Sequence, residues 1–96
     1  MKIGSLSAAW NAQPLEEVLD FFAGAGLQAV EIGAGAYPGN AHCNAAELNK
    51  SKAKREAFVK AIESRGLELS ALSVHGNPLH PNKKIAEEHH NAFREA

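Results

Sequence analysis

Leu27-Gln28-Ala29-Val30-Glu31-Ile32-Gly33 is an apolar run with a single carboxylate in it, and its reading decides the fold. Seven residues this apolar, bounded by glycines, read as a buried strand. Side chains alternate across a strand, so Val30 and Ile32 share one face while Ala29, Glu31 and Gly33 share the other. Residues 67–75, Leu-Glu-Leu-Ser-Ala-Leu-Ser-Val-His, repeat the pattern: Leu72 and Val74 on one side, Ala71, Ser73 and His75 on the other. The bulky aliphatics of both strands thus have one direction. The opposite face is small or polar and carries Glu31 and His75 near the C-terminal ends.

Helical segments lie between the strands. Pro14 suits a first helical position, Glu16 and Glu17 favour the dipole of a first turn, and Leu15, Val18, Leu19 and Phe22 recur at helical spacing. Gly24 and Gly26 end that helix, Gly26 as the left-handed cap. Upstream, residues 2–9 read as a short first strand. Downstream, Ala34–Cys43 is a long Gly-rich loop, a length associated with function or mobility. Asn44 with Glu47 resembles a capping box. A helix is expected to continue through Ser51–Arg65 with Ala57, Phe58, Ala61 and Ile62 on one side, and Gly66 to stop it. After the third strand and the loop 76–81, Asn82 caps a third helix whose Ile85, His89, Ala92 and Phe93 are expected to face inward. The order is β-α-β-α-β-α, which implies parallel strands with right-handed crossovers.

Composition bounds the function. The 96 residues are 45% hydrophobic and 22% charged, with 10 basic and 11 acidic side chains and a formal net charge of −1. Neither nucleic acid nor an anionic membrane is favoured by that balance. The basic residues cluster only in Lys50–Arg55, the start of a solvated helix face. The single cysteine, Cys43, excludes an intrachain disulfide and fits a reducing compartment. No apolar run approaches the roughly 20 residues that span a bilayer. The N-terminus lacks the pattern of a signal peptide. A cytoplasmic location is the expectation. Gly33-Ala34-Gly35 is not a dinucleotide fingerprint, because the third glycine is missing and Pro38 stands where a helix should open.

Three stretches carry a family resemblance: Leu-Gln-Ala-Val-Glu-Ile-Gly at 27–33, Tyr-Pro-Gly-Asn-Ala-His-Cys at 37–43, and Leu-Ser-Val-His-Gly-Asn-Pro-Leu-His-Pro at 72–81. Together they resemble the N-terminal third of bacterial sugar phosphate isomerases/epimerases of the xylose isomerase-like superfamily, which also holds an endonuclease IV branch. The resemblance covers essentially all 96 residues. It implies a partial (β/α)8 TIM barrel of three β/α units, with residues 1–96 as its N-terminal portion and too short for the whole enzyme. The active site of such a barrel lies at the C-terminal ends of the strands.

The resemblance implies roles for particular residues. His75 matches a position that binds metal in the endonuclease branch and contacts substrate or metal in others. Glu31 matches an acidic, cavity-lining position, and His42 lies where some isomerases carry a histidine acting on the sugar. The family's divalent metal (Zn, Mn or Mg) is expected in the full-length parent, held mostly by later strands. This chain alone is expected to bind none.

Each assignment has a plainer reading beside it. His75 also suits a hydrogen-bonded strand end, and Glu31 a structural ion pair. Trp10 and Tyr37 follow the first two strands, where stacking on a sugar ring and simple packing both fit. Asn40 and His80 stand in the two rim loops as substrate contacts, with a structural role for His80 equally open. His42 and Cys43 are adjacent and lack a third orienting group, so a nucleophile–base pair is disfavoured. Adjacent His89 and His90 face different directions on a helix.

The leading expectation is therefore part of a metal-dependent isomerase or epimerase acting on a small sugar or sugar phosphate by proton transfer. A hydrolase or lyase of the same superfamily, endonuclease IV-like or inosose dehydratase-like, is the second. The third is an inactive fragment that self-associates through open sheet edges.

Overall fold

The computed structural model describes residues 1–96. Three parallel strands, β1 (Gly4–Leu6), β2 (Ala29–Ala36) and β3 (Glu68–His75), form one open sheet in the order β1-β2-β3. Four α-helices accompany them: α1 (Leu15–Gly24), α2 (Ala45–Lys50), α3 (Lys52–Glu63) and α4 (Lys83–Glu95). The expected element order and parallel pairing are both present. No helix is long and apolar enough to cross a membrane.

The same turn delivers β2 and β3. After α1, Gly26 adopts φ 83°, its N–H donates to the Ala23 carbonyl, and the Leu27 N–H donates to the Phe22 carbonyl. After α3, Gly66 adopts φ 74°, with its N–H on the Glu63 carbonyl and the Leu67 N–H on the Ile62 carbonyl. This is the Schellman arrangement, and the left-handed residue is a glycine both times because a Cβ is penalised there. Leu27 and Leu67, one residue on, both pack into the core.

That core lies on one side of the sheet. Val18, Leu19 and Phe22 of α1 and Ile62 of α3 close on Val30 and Ile32 of β2, and all six are essentially inaccessible to solvent. The helices therefore cover the face that the alternation assigned to them over β2, while on β3 Val74 packs against this core and Leu72 stays 38% exposed. Arg65 and Asp20 join α3 to α1 at 2.6 Å on the rim.

Several boundaries differ from the sequence expectation. The first strand was expected over 2–9 but ends at Leu6, and Ser7–Trp10 forms a 3-10 turn. The turn brings the Trp10 ring edge-on to Phe22, with centroids 5.2 Å apart. The second strand runs on to Ala36, three residues into the expected loop, where it pairs with His75 beyond a register shift at Gly33/Gly35. The single helix expected through Ser51 is two. Ser51 is extended, accepts the Lys54 N–H on its hydroxyl and ends α2 while capping α3. Asn44 and Asn82 cap α2 and α4 with their side chains as expected.

The expectation for α4 needs the largest correction. None of its residues is fully buried: of the four expected to face inward, Ile85, His89 and Ala92 are half-buried, whereas Phe93 is 71% exposed. The helix sits over the C-terminal part of β2, where a Cβ on Gly35 would lie 3.2 Å from the Cβ of Ala92. Phe93, mostly exposed, borders a small cavity with Val74, Pro78 and His89.

Truncation in the α1 face should be costly and truncation in α4 should not. Leu19→Ala is expected to lower stability by about 2–5 kcal/mol, whereas Phe93→Ala should stay within about 0.5 kcal/mol. Urea unfolding followed by circular dichroism measures both.

Candidate functional site

Glu31 occupies the face of β2 opposite the helices. Its Oε1 accepts a hydrogen bond from the Ser73 hydroxyl of β3. Register places Glu31 beside Ala71 and Gly33 beside Ser73, so the bond runs diagonally across one face of the parallel pair. Ser73 is buried, Glu31 half-buried, and Oε2 has no partner within the chain. Such an arrangement orients one oxygen and leaves the other for a ligand. His75 is two residues further along the unbroken β3, so alternation puts it on the Ser73 side, exposed at the strand end.

The loop 37–44 roofs the C-terminal part of this face. A Cβ on Gly33 would lie 3.0 Å from the Cβ of Pro38, so the loop rests directly on the strand backbone. Asn11, following β1, donates from Nδ2 to the Pro38 carbonyl at 2.7 Å. His42 ties the other end. A carbonyl can only accept, so the His42 Nε2–H donates to the Gln13 carbonyl, at 2.8 Å. His42 is 6% exposed, and its Nδ1 is buried without a partner in the chain. Ala36 (φ 55°) and Gly39 (φ 78°) supply the left-handed turns that fold the loop back.

The remaining singled-out residues are spread around this centre. Trp10 packs on Phe21 and Phe22. Tyr37 is 69% exposed and meets the His89 ring edge-on at 4.9 Å. Asn40 is exposed and borders a cleft of about 280 Å³ between the β2 end, α2 and α4. The His80 Nδ1 accepts the Asn82 N–H at 3.0 Å. Glu31 and His75 thus share a sheet face, while His42, Trp10 and His80 are each engaged in local structure. Sequence reading placed Ser73 on this face but missed its role. A carboxylate on a strand needs a partner, and the inward hydroxyl two residues before His75 is the signal that identifies it. Asn11 carried no signal of its own.

Nothing in these three units suits the divalent ion that the resemblance implies. No three His, Cys, Asp or Glu side chains converge. No step is therefore routed through a metal. Burial pushes the Cys43 thiol up from its ordinary value, which suppresses the reactive thiolate.

Comparison with known proteins finds one resemblance in sequence. The chain is 35% identical over 83 residues to a protein of Bacillus subtilis (strain 168) described as uncharacterized protein YfiH. The match takes in 86% of this chain and 26% of that protein, so the chain spans about a quarter of its relative's length. No protein-family model and no solved structure matches.

The tie from His42 and the protection of Cys43 should fail together. His42→Ala is expected to cost about 1–3 kcal/mol by stranding the Gln13 carbonyl. In the same variant, thiol-reagent labelling of Cys43, slow in the native chain even at about pH 8, should accelerate. Denaturation and labelling kinetics measure the two effects.

Proposed function

We propose that this chain furnishes three β/α units of a (β/α)8 barrel of the xylose isomerase-like type, acting as an isomerase or epimerase on a small sugar or sugar phosphate. The observation that carries the reading is the Glu31 carboxylate, aimed by Ser73, on the helix-free face of a parallel sheet. The relative's length supports it, since three β/α units are a minor part of such a barrel and the match covers 26% of that protein.

In this reading Glu31 handles the proton. Ser73 holds Oε1, and Oε2 faces the cavity, where it takes a proton from the carbon beside the sugar carbonyl and returns it to the neighbouring atom or the opposite face. The carboxylate is half-buried, so closure of the rest of the barrel would remove water from it and strengthen its contact with substrate. His75 stands on the same face at the strand end, within the zone that a sugar hydroxyl or phosphate would occupy. Tyr37 and Asn40 form the rim. A net charge of −1 gives no attraction for a DNA backbone, which sets the endonuclease-like alternative below the sugar reading.

The test is solvent-deuterium exchange into a panel of ketoses, aldoses and their phosphates by the barrel that carries these units. Glu31→Gln should lower kcat by about 100-fold or more with little change in melting temperature, as expected for loss of a general base. Ser73→Ala should produce a smaller loss. Cleavage of abasic DNA or dehydration of an inosose, with no exchange into any sugar, would replace this reading by the hydrolase or lyase alternative.

A second reading concerns the isolated chain. Both sheet edges are open, and on the β3 side Leu72 is 38% exposed. Unpaired edges of this kind recruit further strands, so the 96-residue chain is proposed to self-associate. Light scattering should then give a mass above the monomer's 10.2 kDa, and a monomer at high concentration would count against it.

A further inference from the structure

The segment between β3 and α4 is held at both ends by imidazole rings that act as hydrogen-bond acceptors. The Asn77 N–H donates to His89 Nδ1, on α4, at 2.8 Å. The Asn82 N–H donates to His80 Nδ1 at 3.0 Å. A backbone amide only donates, so each Nδ1 must present its lone pair and each ring must be neutral with its proton on Nε2. The approach at His89 is close. A Cβ on Gly76 would lie 2.8 Å from the His89 Cγ, so only glycine lets the loop backbone close on that ring.

α4 has little else to retain it. It buries no residue completely, and its apolar Phe93 faces solvent. Its other anchors are the Asn82 cap, the Ala92 contact with Gly35, and the Asn49 Nδ2 donation to the Glu95 carbonyl at 2.7 Å. A helix with so few buried contacts belongs to the low-stability end of a structure, where local opening is easy.

We infer that the β3–α4 loop and α4 form an acid-sensitive latch, closed while His89 and His80 are neutral and opened when they take up protons. Protonation converts each Nδ1 lone pair into an N–H that opposes the backbone N–H, so the bond is lost and two donors confront each other. The only reactant is a proton from solvent. The bonds exist above the imidazole titration range and disappear as pH falls through it, so their contribution to stability is confined to the alkaline side.

Charged groups stand near both rings without pairing to them, Lys83 and Lys84 following the Asn82 cap close to His80. On α4 itself Glu88 and His90 flank His89. α4 packs on β2 and α2, whose titratable groups are Glu31, engaged by Ser73, and Glu47 and Lys50, of which Glu47 pairs with Lys54. Tyr37 meets the His89 ring at its edge, and His75 lies at the end of β3 before the loop. No ion pair reaches His89 or His80, so no carboxylate holds either protonated ring in its closed position. A cavity of about 90 Å³ between Val74, Pro78, His89 and Phe93 gives water access to the ring. Because the loop begins at Gly76, opening the latch also frees the backbone that follows His75.

The test is an NMR pH titration of the 15N-labelled 96-residue chain from about pH 8 to about pH 5, reading ring-nitrogen shifts and amide protection together. Protection of the Asn77 and Asn82 amides should fall by about 10-fold or more in step with the titration of His89 and His80. In His89→Asn the side-chain oxygen stands near the former Nδ1 and accepts at every pH, so Asn77 should stay protected throughout. His89→Leu should leave Asn77 unprotected even at high pH. Equal protection of Asn77 on both sides of the ring titration would overturn the latch. So would a proton on His89 Nδ1 at about pH 8, or an unchanged pH dependence of Asn77 in His89→Asn. None of these outcomes depends on enzymatic activity, so the latch and the sugar chemistry stand or fall separately.

Discussion

The structure depends on the burial of Val30 and Ile32 against Leu19, Phe22 and Ile62. β2 is the central strand, and these two side chains carry the contact between the sheet and helices α1 and α3. Strand alternation is strict, so fixing Val30 and Ile32 on the helix side fixes Glu31 on the other. A slip of one residue would drive a carboxylate into an apolar core and expose two β-branched residues, a change that costs several kcal/mol in both directions. The position of the candidate site is thus set by hydrophobic packing on the far side of the sheet, without any ligand or charge pair to direct it.

Two departures from regular pairing interrupt the β2–β3 ladder, and the second shapes the end of β2. The register against β3 shifts between Val30 and Glu31 and again between Gly33 and Gly35. At the second shift Ala34 turns into the core cluster. Gly33 and Gly35 then lie under different neighbours: Pro38 stands over the first and Ala92 over the second. The bulge lets the loop 37–44 fold across the polar face while α4 approaches from the helix side, and at both contacts an added Cβ would be crowded, at 3.0 Å from Pro38 and 3.2 Å from Ala92. Bulges beside a strand end re-aim the chain in this way. The loop they produce is tied by hydrogen bonds to Asn11 and Gln13, so it is an ordered roof over the β2 end.

The polar face is open. Glu31 has one defined partner, His75 has none, and no third ionisable group converges with them. A cavity needs walls on more than one side, and three strands provide one wall. The chemistry proposed for Glu31 therefore requires groups contributed from beyond these units, in keeping with the quarter-length match to the longer relative. α4, by contrast, lies against the sheet with little burial, and histidine rings rather than apolar contacts set how the preceding loop meets it.

The order of elements, the parallel sheet, the caps at Asn44 and Asn82 and the stops at Gly26 and Gly66 were legible in the sequence. Each rests on local chemistry: periodicity, a short polar side chain before a helix, or a glycine where φ must be positive. Glu31 and its face were legible for the same reason. The break at Ser51, the bulges in the β2–β3 ladder, the Ser73 partner of Glu31 and the backbone ties of His42, His80 and His89 were decided only by tertiary structure. A histidine in a loop can be a ligand, a base or a brace, and the residue itself does not distinguish them. What distinguishes them is which backbone group lies within about 3 Å of which ring nitrogen, a distance fixed by the packing of segments far apart in the chain.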